Sequence, residues 1–137
     1  METPLLLAIQ TAARTYLVPR HHLDHLVGMR AEAIPAQDAR GRPLLGCELG
    51  PLLDPNEPSQ LTGRCHALTV SLRRRSVALI VARADELAAP GPIQPLAPLL
   101  ARCLNRPWVL GVVVTDDQPI LVLDVRRIAA DVALGVV

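Results

Sequence analysis

Cys65-His66-Ala67-Leu68-Thr69-Val70-Ser71-Leu72-Arg73-Arg74-Arg75-Ser76-Val77-Ala78-Leu79-Ile80-Val81-Ala82 decides the fold of this chain. Two runs rich in β-forming residues flank three consecutive arginines. Val, Ile and Thr suit a pleated, half-buried surface, and adjacent like charges belong at a solvated tip. The stretch predicts a hairpin, with Cys65–Leu72 and Ser76–Ala82 as strands and Arg73–Arg75 as the tip.

The same pattern recurs on both sides. Pro and Gly together number 21 of 137 residues, 13 and 8 respectively, so only short elements fit between them. Short apolar runs separated by turn residues indicate an all-β sandwich or barrel. Towards the N-terminus, Asp54–Gly63 is the clearest linker, and Pro43–Leu49 is a strand followed by a turn over Gly50–Leu53. Arg30–Arg42 is polar and reads as a loop. His22–Met29 reads as a short helical turn leading into an extended piece. Leu5–Gln10 and Thr15–Val18 pair as a hairpin, with a helix over Leu5–Ala13 as the competing reading because Ala and Leu favour it. Towards the C-terminus, Ala84–Leu87 bends away and Ala89–Pro98 is a Pro-rich loop. Pro98–Leu104 is a short amphipathic helix. Trp108–Thr115 and Ile120–Leu123 are strands around an Asp116–Pro119 turn, and Asp124–Ala130 closes with a helical turn. An internal echo links Arg40–Leu49 with Asp117–Asp124: both are turn, strand, then acid, as two small barrels of similar build would give.

Half of the residues are hydrophobic, ample for a core, with Tyr16 and Trp108 as the only aromatics. The formal net charge of +1 gives no long-range field for nucleic acid or anionic membrane. All 14 basic side chains are arginine, which removes lysine chemistry such as Schiff bases and the phosphate-loop lysine. Cys47, Cys65 and Cys103 are an odd number at wide spacing, as expected of reduced thiols rather than a disulfide framework. The opening Met1–Pro4 lacks a basic region, and Leu5–Ile9 is too short for a signal-peptide core. The longest apolar run, Pro107–Val114, falls far below the ~18 residues of a membrane span. The expectation is a cytoplasmic protein.

No constellation points to catalysis. His21 and His25 have the i, i+4 spacing of a metal-binding helix face, but no third ligand is evident, and a solvent-facing polar cluster is the plainer reading. Cys65 and His66 are adjacent, so on a strand they face opposite ways. Asp116 and Asp117 sit at a turn, where aspartate makes local hydrogen bonds. The Arg73–Arg75 tip lacks neighbouring aromatics for base stacking. A small-barrel nucleic-acid module and a cysteine hydrolase are the rival classes, and neither finds its expected residues.

In order along the chain, five segments resemble the CheW-like family of bacterial chemotaxis coupling proteins. They are Tyr16-Leu17-Val18-Pro19, His22-Leu23-Asp24-His25-Leu26, Arg40-Gly41-Arg42 with Pro43–Leu53, Arg74–Leu87, and Leu96–Pro98 followed by Trp108-Val109-Leu110-Gly111 and Ile120–Arg127. The resemblance covers Leu5 to about Asp131. Departures include Asp38-Ala39 before Arg40-Gly41, where the family has Asn, His25 in place of an acid, and a shortened 29–40 loop without its usual strand. What the resemblance implies is two small SH3-like β-barrels packed side by side with one or two short helices, forming a single domain over residues 1–137. It further implies no enzymatic activity and no cofactor. The implied partners are the regulatory domain of a CheA-type histidine kinase and the cytoplasmic tip of methyl-accepting chemoreceptors, with no nucleic acid and no membrane insertion. Arg40 and Gly41 are then the expected partner-binding turn, Arg40 offering a forked donor, with internal capping of the turn as its alternative role, and Gly41 a positive φ. Leu23 and Leu26 are expected to line the groove between barrels, with plain core as the alternative.

Overall fold

A computed structural model describes residues 5–58, 63–86, 91–102 and 106–135. Strand β1 (Leu6–Gln10) pairs antiparallel with β2 (Thr15–Pro19), setting Leu7 opposite Val18 and Ile9 opposite Tyr16. The hairpin prevails over the helix because both faces of this run are claimed. Leu7, Ile9, Tyr16 and Val18 enter one apolar cluster, whereas Leu6 and Leu17 enter another with Val113 and Val122. Alternation with period two serves two separate cores, and a helical stripe cannot.

The chain then turns through a 3₁₀ segment at Arg20–His22 into β3 (His25–Arg30). The helical turn expected over His22–Met29 is thus confined to residues before Leu23, because residues 25–30 pair along their whole length with residues 64–69. After a second 3₁₀ turn at Ala31–Ala33 come β4 (Leu44–Glu48) and the one-turn helix α1 (Leu49–Leu53). The central hairpin is β5 (Arg64–Ser71) and β6 (Ser76–Val81), with Leu68 opposite Leu79 and Val70 opposite Val77.

The segment expected to bend away is instead a strand, β7 (Arg83–Glu86), which pairs with β1. Apart from the buried Ala84 its residues are charged, and the open edge of β1 recruits them. Helix α2 (Pro98–Arg102) precedes the last hairpin, β8 (Val109–Thr115) and β9 (Gln118–Leu123). That hairpin turns on Asp116 and Asp117 alone, both at positive φ, 49° and 63°, as a two-residue turn matching strand twist requires. The closing helical turn is a ten-residue helix, α3 (Val125–Leu134), capped by the Asp124 carboxylate on the Arg127 N–H and by Gly135 at φ 72°.

The strands form a five-stranded sheet, β7-β1-β2-β9-β8, and a four-stranded sheet, β3-β5-β6-β4. The architecture is mainly β, with two small barrel-like subdomains. Each sheet contains one parallel pair, β2 with β9 and β4 with β6. β9 runs into Asp124 and β4 ends in Glu48, and each of these acids opens a helix. This is the structural form of the echo seen in the sequence. Both sheets and α3 supply the larger apolar cluster, from Leu7 and Val18 through Leu68 and Leu79 to Ile128.

The described part of the segment read as a linker is anchored. Glu57 is buried and accepts hydrogen bonds from the Thr11 hydroxyl at 2.7 Å and the Ala13 N–H at 2.9 Å. Residues 59–62 lie outside the described residues, as do 87–90, which include the start of the Pro-rich loop, and Cys103 with the end of the predicted 98–104 helix. No helix among the described residues is long and apolar enough to cross a membrane.

Candidate functional site

The Asp38–Arg42 turn is built by one carboxylate. Asp38 Oδ1 accepts the backbone N–H groups of Arg40 and Arg42, both at 2.9 Å. Gly41 closes the turn at φ 77°, a conformation in which a Cβ would be strained. Asp38 Oδ2 accepts Arg42 Nε at 3.0 Å and the Ser76 hydroxyl at 2.8 Å. Arg42 Nη1 in turn donates to the Leu72 carbonyl at 2.8 Å. The turn is therefore bolted to the tip of the β5–β6 hairpin through Arg42 and Ser76.

Burial raises the Asp38 pKa, but the Ser76 hydroxyl, the two backbone N–H groups and the Arg42 guanidinium outweigh it and hold the carboxyl down to about 2, against 3.8 for an ordinary aspartate. A depressed folded-state pKa stabilises the protein above the unfolded value and loses that contribution as pH falls through the folded one. The stability carried by Asp38 is thus present above about pH 4 and disappears towards pH 2. In acid titrations of the melting temperature, Asp38→Asn is expected to flatten this limb. Superimposable acid limbs for the two proteins would mean the network carries no stability.

Arg40 stands at the apex of the turn, exposed, and its guanidinium makes no hydrogen bond or ion pair among the described residues. The internal capping role weighed for it belongs to Arg42. Beside it opens a cleft of about 250 Å³ lined by Asp24, His25, Arg40, Arg42, Ser71 and Ser76, among others. Asp24 accepts the Ser71 N–H. That bond, with the Ser71 hydroxyl and the charges of His25 and Arg40, holds its carboxyl below the usual range. Leu23 is 6% exposed within the main core rather than on a groove, and Leu26 packs half-buried against that core. Of the four expected contact residues, the structure brings Arg40 and Gly41 together at the surface and places Leu23 and Leu26 with the core. Sequence reasoning missed Asp38, Arg42 and Ser76. The i, i+4 spacing of Asp38 and Arg42 was the available signal.

Other candidate chemistry disperses. His21 ends up beside His22, rings edge to face at 4.7 Å, while His25 lies in a strand, so the i, i+4 helix face does not form. His22 Nδ1 is 3.9 Å from Asp124, but burial, Arg126 and His21 lower its pKa. Cys65 and His66 occupy opposite faces of β5, as strand geometry demands. Burial raises the thiol pKa of both Cys47 and Cys65, with nearby glutamates adding to it. Such thiols stay protonated and are poor nucleophiles. Among the described residues, no group of three or more His, Cys, Asp or Glu is placed to hold a metal ion.

No protein-family model matches the chain, and no curated protein matches it. In three dimensions it is similar to the crystal structure of the scaffolding protein TtCheW from Thermoanaerobacter tengcongensis. The TM-score is 0.60 at 14% identity, over 90% of this chain and 90% of that one. At that identity the likeness is one of fold.

Proposed function

We propose that this protein is a non-catalytic adaptor of bacterial chemosensory signalling that couples chemoreceptor tips to the regulatory domain of a CheA-type histidine kinase in the cytoplasm. The observation that carries the reading is the fold likeness to a scaffolding protein along nine-tenths of both chains. The turn that holds Arg40 agrees with it. Asp38, Arg42 and Ser76 hold the backbone, and Arg40 is left to face a partner at little cost in ordering.

The test is affinity capture followed by calorimetry against the regulatory domain of the host's CheA-type kinase. Arg40→Ala is expected to weaken binding by ~1–3 kcal/mol, as for the loss of a charged hydrogen bond at an interface, with the melting temperature unchanged. Arg42→Ala is expected to do the opposite, lowering stability by about 1–3 kcal/mol through the loss of its bonds to Asp38 and Leu72. A folded protein that binds neither kinase domain nor receptor tip overturns the reading.

A further inference from the structure

Several arginines on this molecule have an acid at hand. Arg14 lies 3.4 Å from Asp54, Arg30 is 3.8 Å from Glu32, Arg83 is 2.7 Å from Asp85, and Arg127 is 3.9 Å from Asp131. At one end of the four-stranded sheet three consecutive arginines do not. Arg73, Arg74 and Arg75 are exposed at the β5–β6 tip and form no ion pair among the described residues. Arg42 links them to the Arg40 turn, donating to the Leu72 carbonyl and, at 3.5 Å, to that of Arg73. The two acids nearby are already engaged: Asp38 holds Arg42 and Ser76, and Asp24 accepts the Ser71 N–H. Arg40 and His25 therefore line a cleft whose two carboxylates, Asp24 and Asp38, already accept hydrogen bonds from the protein, and the Arg73–Arg75 tip lies between two of its lining residues, Ser71 and Ser76, in the chain.

Self-repulsion of this kind is costly unless a partner supplies anions, because like charges at short range destabilise each other. Nucleic acid is disfavoured, since Tyr16 and Trp108 are both buried and leave no stacking platform. A cleft of about 250 Å³ is of a size for one side chain rather than a polymer track. We propose that the Arg73–Arg75 tip and this cleft form a docking site for an acidic segment of a protein partner, with one carboxylate entering between His25 and Arg40. Arginine forks bind carboxylates in two-point geometry, and Arg40 lines the cleft with a guanidinium that makes no hydrogen bond or ion pair among the described residues. The kinase reading is not a premise here: it concerns which protein binds, and this site concerns what chemistry any partner presents.

The probe is a fluorescein-labelled glutamate-rich peptide, followed by anisotropy at about 50 mM and about 300 mM salt. Binding at the lower salt is expected to weaken about tenfold in Arg73→Ser/Arg74→Ser/Arg75→Ser, and to weaken likewise in Arg40→Gln. The matched triple Arg30→Ser/Arg83→Ser/Arg127→Ser removes the same net charge and is expected to keep its affinity. Circular dichroism and melting of each variant show that the exposed substitutions leave the fold intact. Equal losses in both triples, no binding by the folded wild type, or tighter binding to single-stranded DNA or phosphatidylserine vesicles than to the peptide would each overturn the proposal. A tip variant that keeps kinase affinity yet loses the peptide separates this site from the kinase reading, and wild-type peptide binding without binding to kinase domain or receptor tip would retire that reading alone.

Discussion

Leu79→Ala is expected to destabilise the protein by about 2–5 kcal/mol, the range for truncating a fully buried leucine. Leu79 is 0% exposed at the middle of β6, opposite Leu68 on β5 and Cys47 on β4, in the cluster shared by both sheets and α3. Packed elements on all sides limit how far the cavity collapses, so the cost belongs towards the top of that range. A small domain has only about 5–15 kcal/mol of stability in total, which makes the change easy to read in urea unfolding. Leu45 serves as the comparison. It lies opposite Val77 on the sheet's edge strand and is 41% exposed, so Leu45→Ala is expected to cost less than about 1 kcal/mol. If the two substitutions cost the same, the core does not run between the sheets.

Gly111→Ala is the second large effect. A Cβ at Gly111 would overlap the Gln94 carbonyl oxygen and lie 2.9 Å from Ile93 Cγ2. The obstacle is backbone, and it is held in place: Gln94 and Val112 exchange two N–H to carbonyl bonds, both 2.8 Å. Ile93 is itself packed on the smaller core of Leu6, Leu17, Val113 and Val122. To admit one methyl group, the strap over β8 must lift. The expected cost is about 1–3 kcal/mol, together with faster hydrogen exchange at the Val112 amide. Gly28→Ala is the control, since the nearest atom to its Cβ would be His66 Nε2 at an ordinary 3.8 Å. Equal melting temperatures for Gly111→Ala and the wild type would mean that residues 93 and 94 are not held against β8.

The strands that were legible in advance share a property. Residues 65–82, 109–123 and 6–18 each carry strand and turn on one continuous stretch, with β-forming runs abutting a charged or aspartate turn. Where an element depends on a remote neighbour, the sequence misled. Arg-Ala-Asp-Glu at 83–86 has no apolar strand pattern, and it is a strand because β1 leaves an edge there. Val125–Leu134 outgrew a single turn because Val125, Ile128, Ala129 and Val132 reach the shared core. Leu23 was open between groove and core and is core, since the residue leading from the 3₁₀ turn into β3 is covered only where the other sheet packs.

The site divides in the same way. That Arg40 and Gly41 form an exposed turn followed from the residues themselves, because glycine tolerates the positive φ and an arginine beside it has solvent to occupy. That Arg42 rather than Arg40 is the internal bolt required Ser76, 38 residues from Asp38 in sequence and 2.8 Å away in space. By itself the sequence determined a mainly β chain with its turns and charged tips, because period-two patterning and turn chemistry act over a few residues. Only the tertiary structure decided which arginines are spent inside the protein and which are left for a partner, because that depends on carboxylates and carbonyls brought together by strand pairing across the sheet.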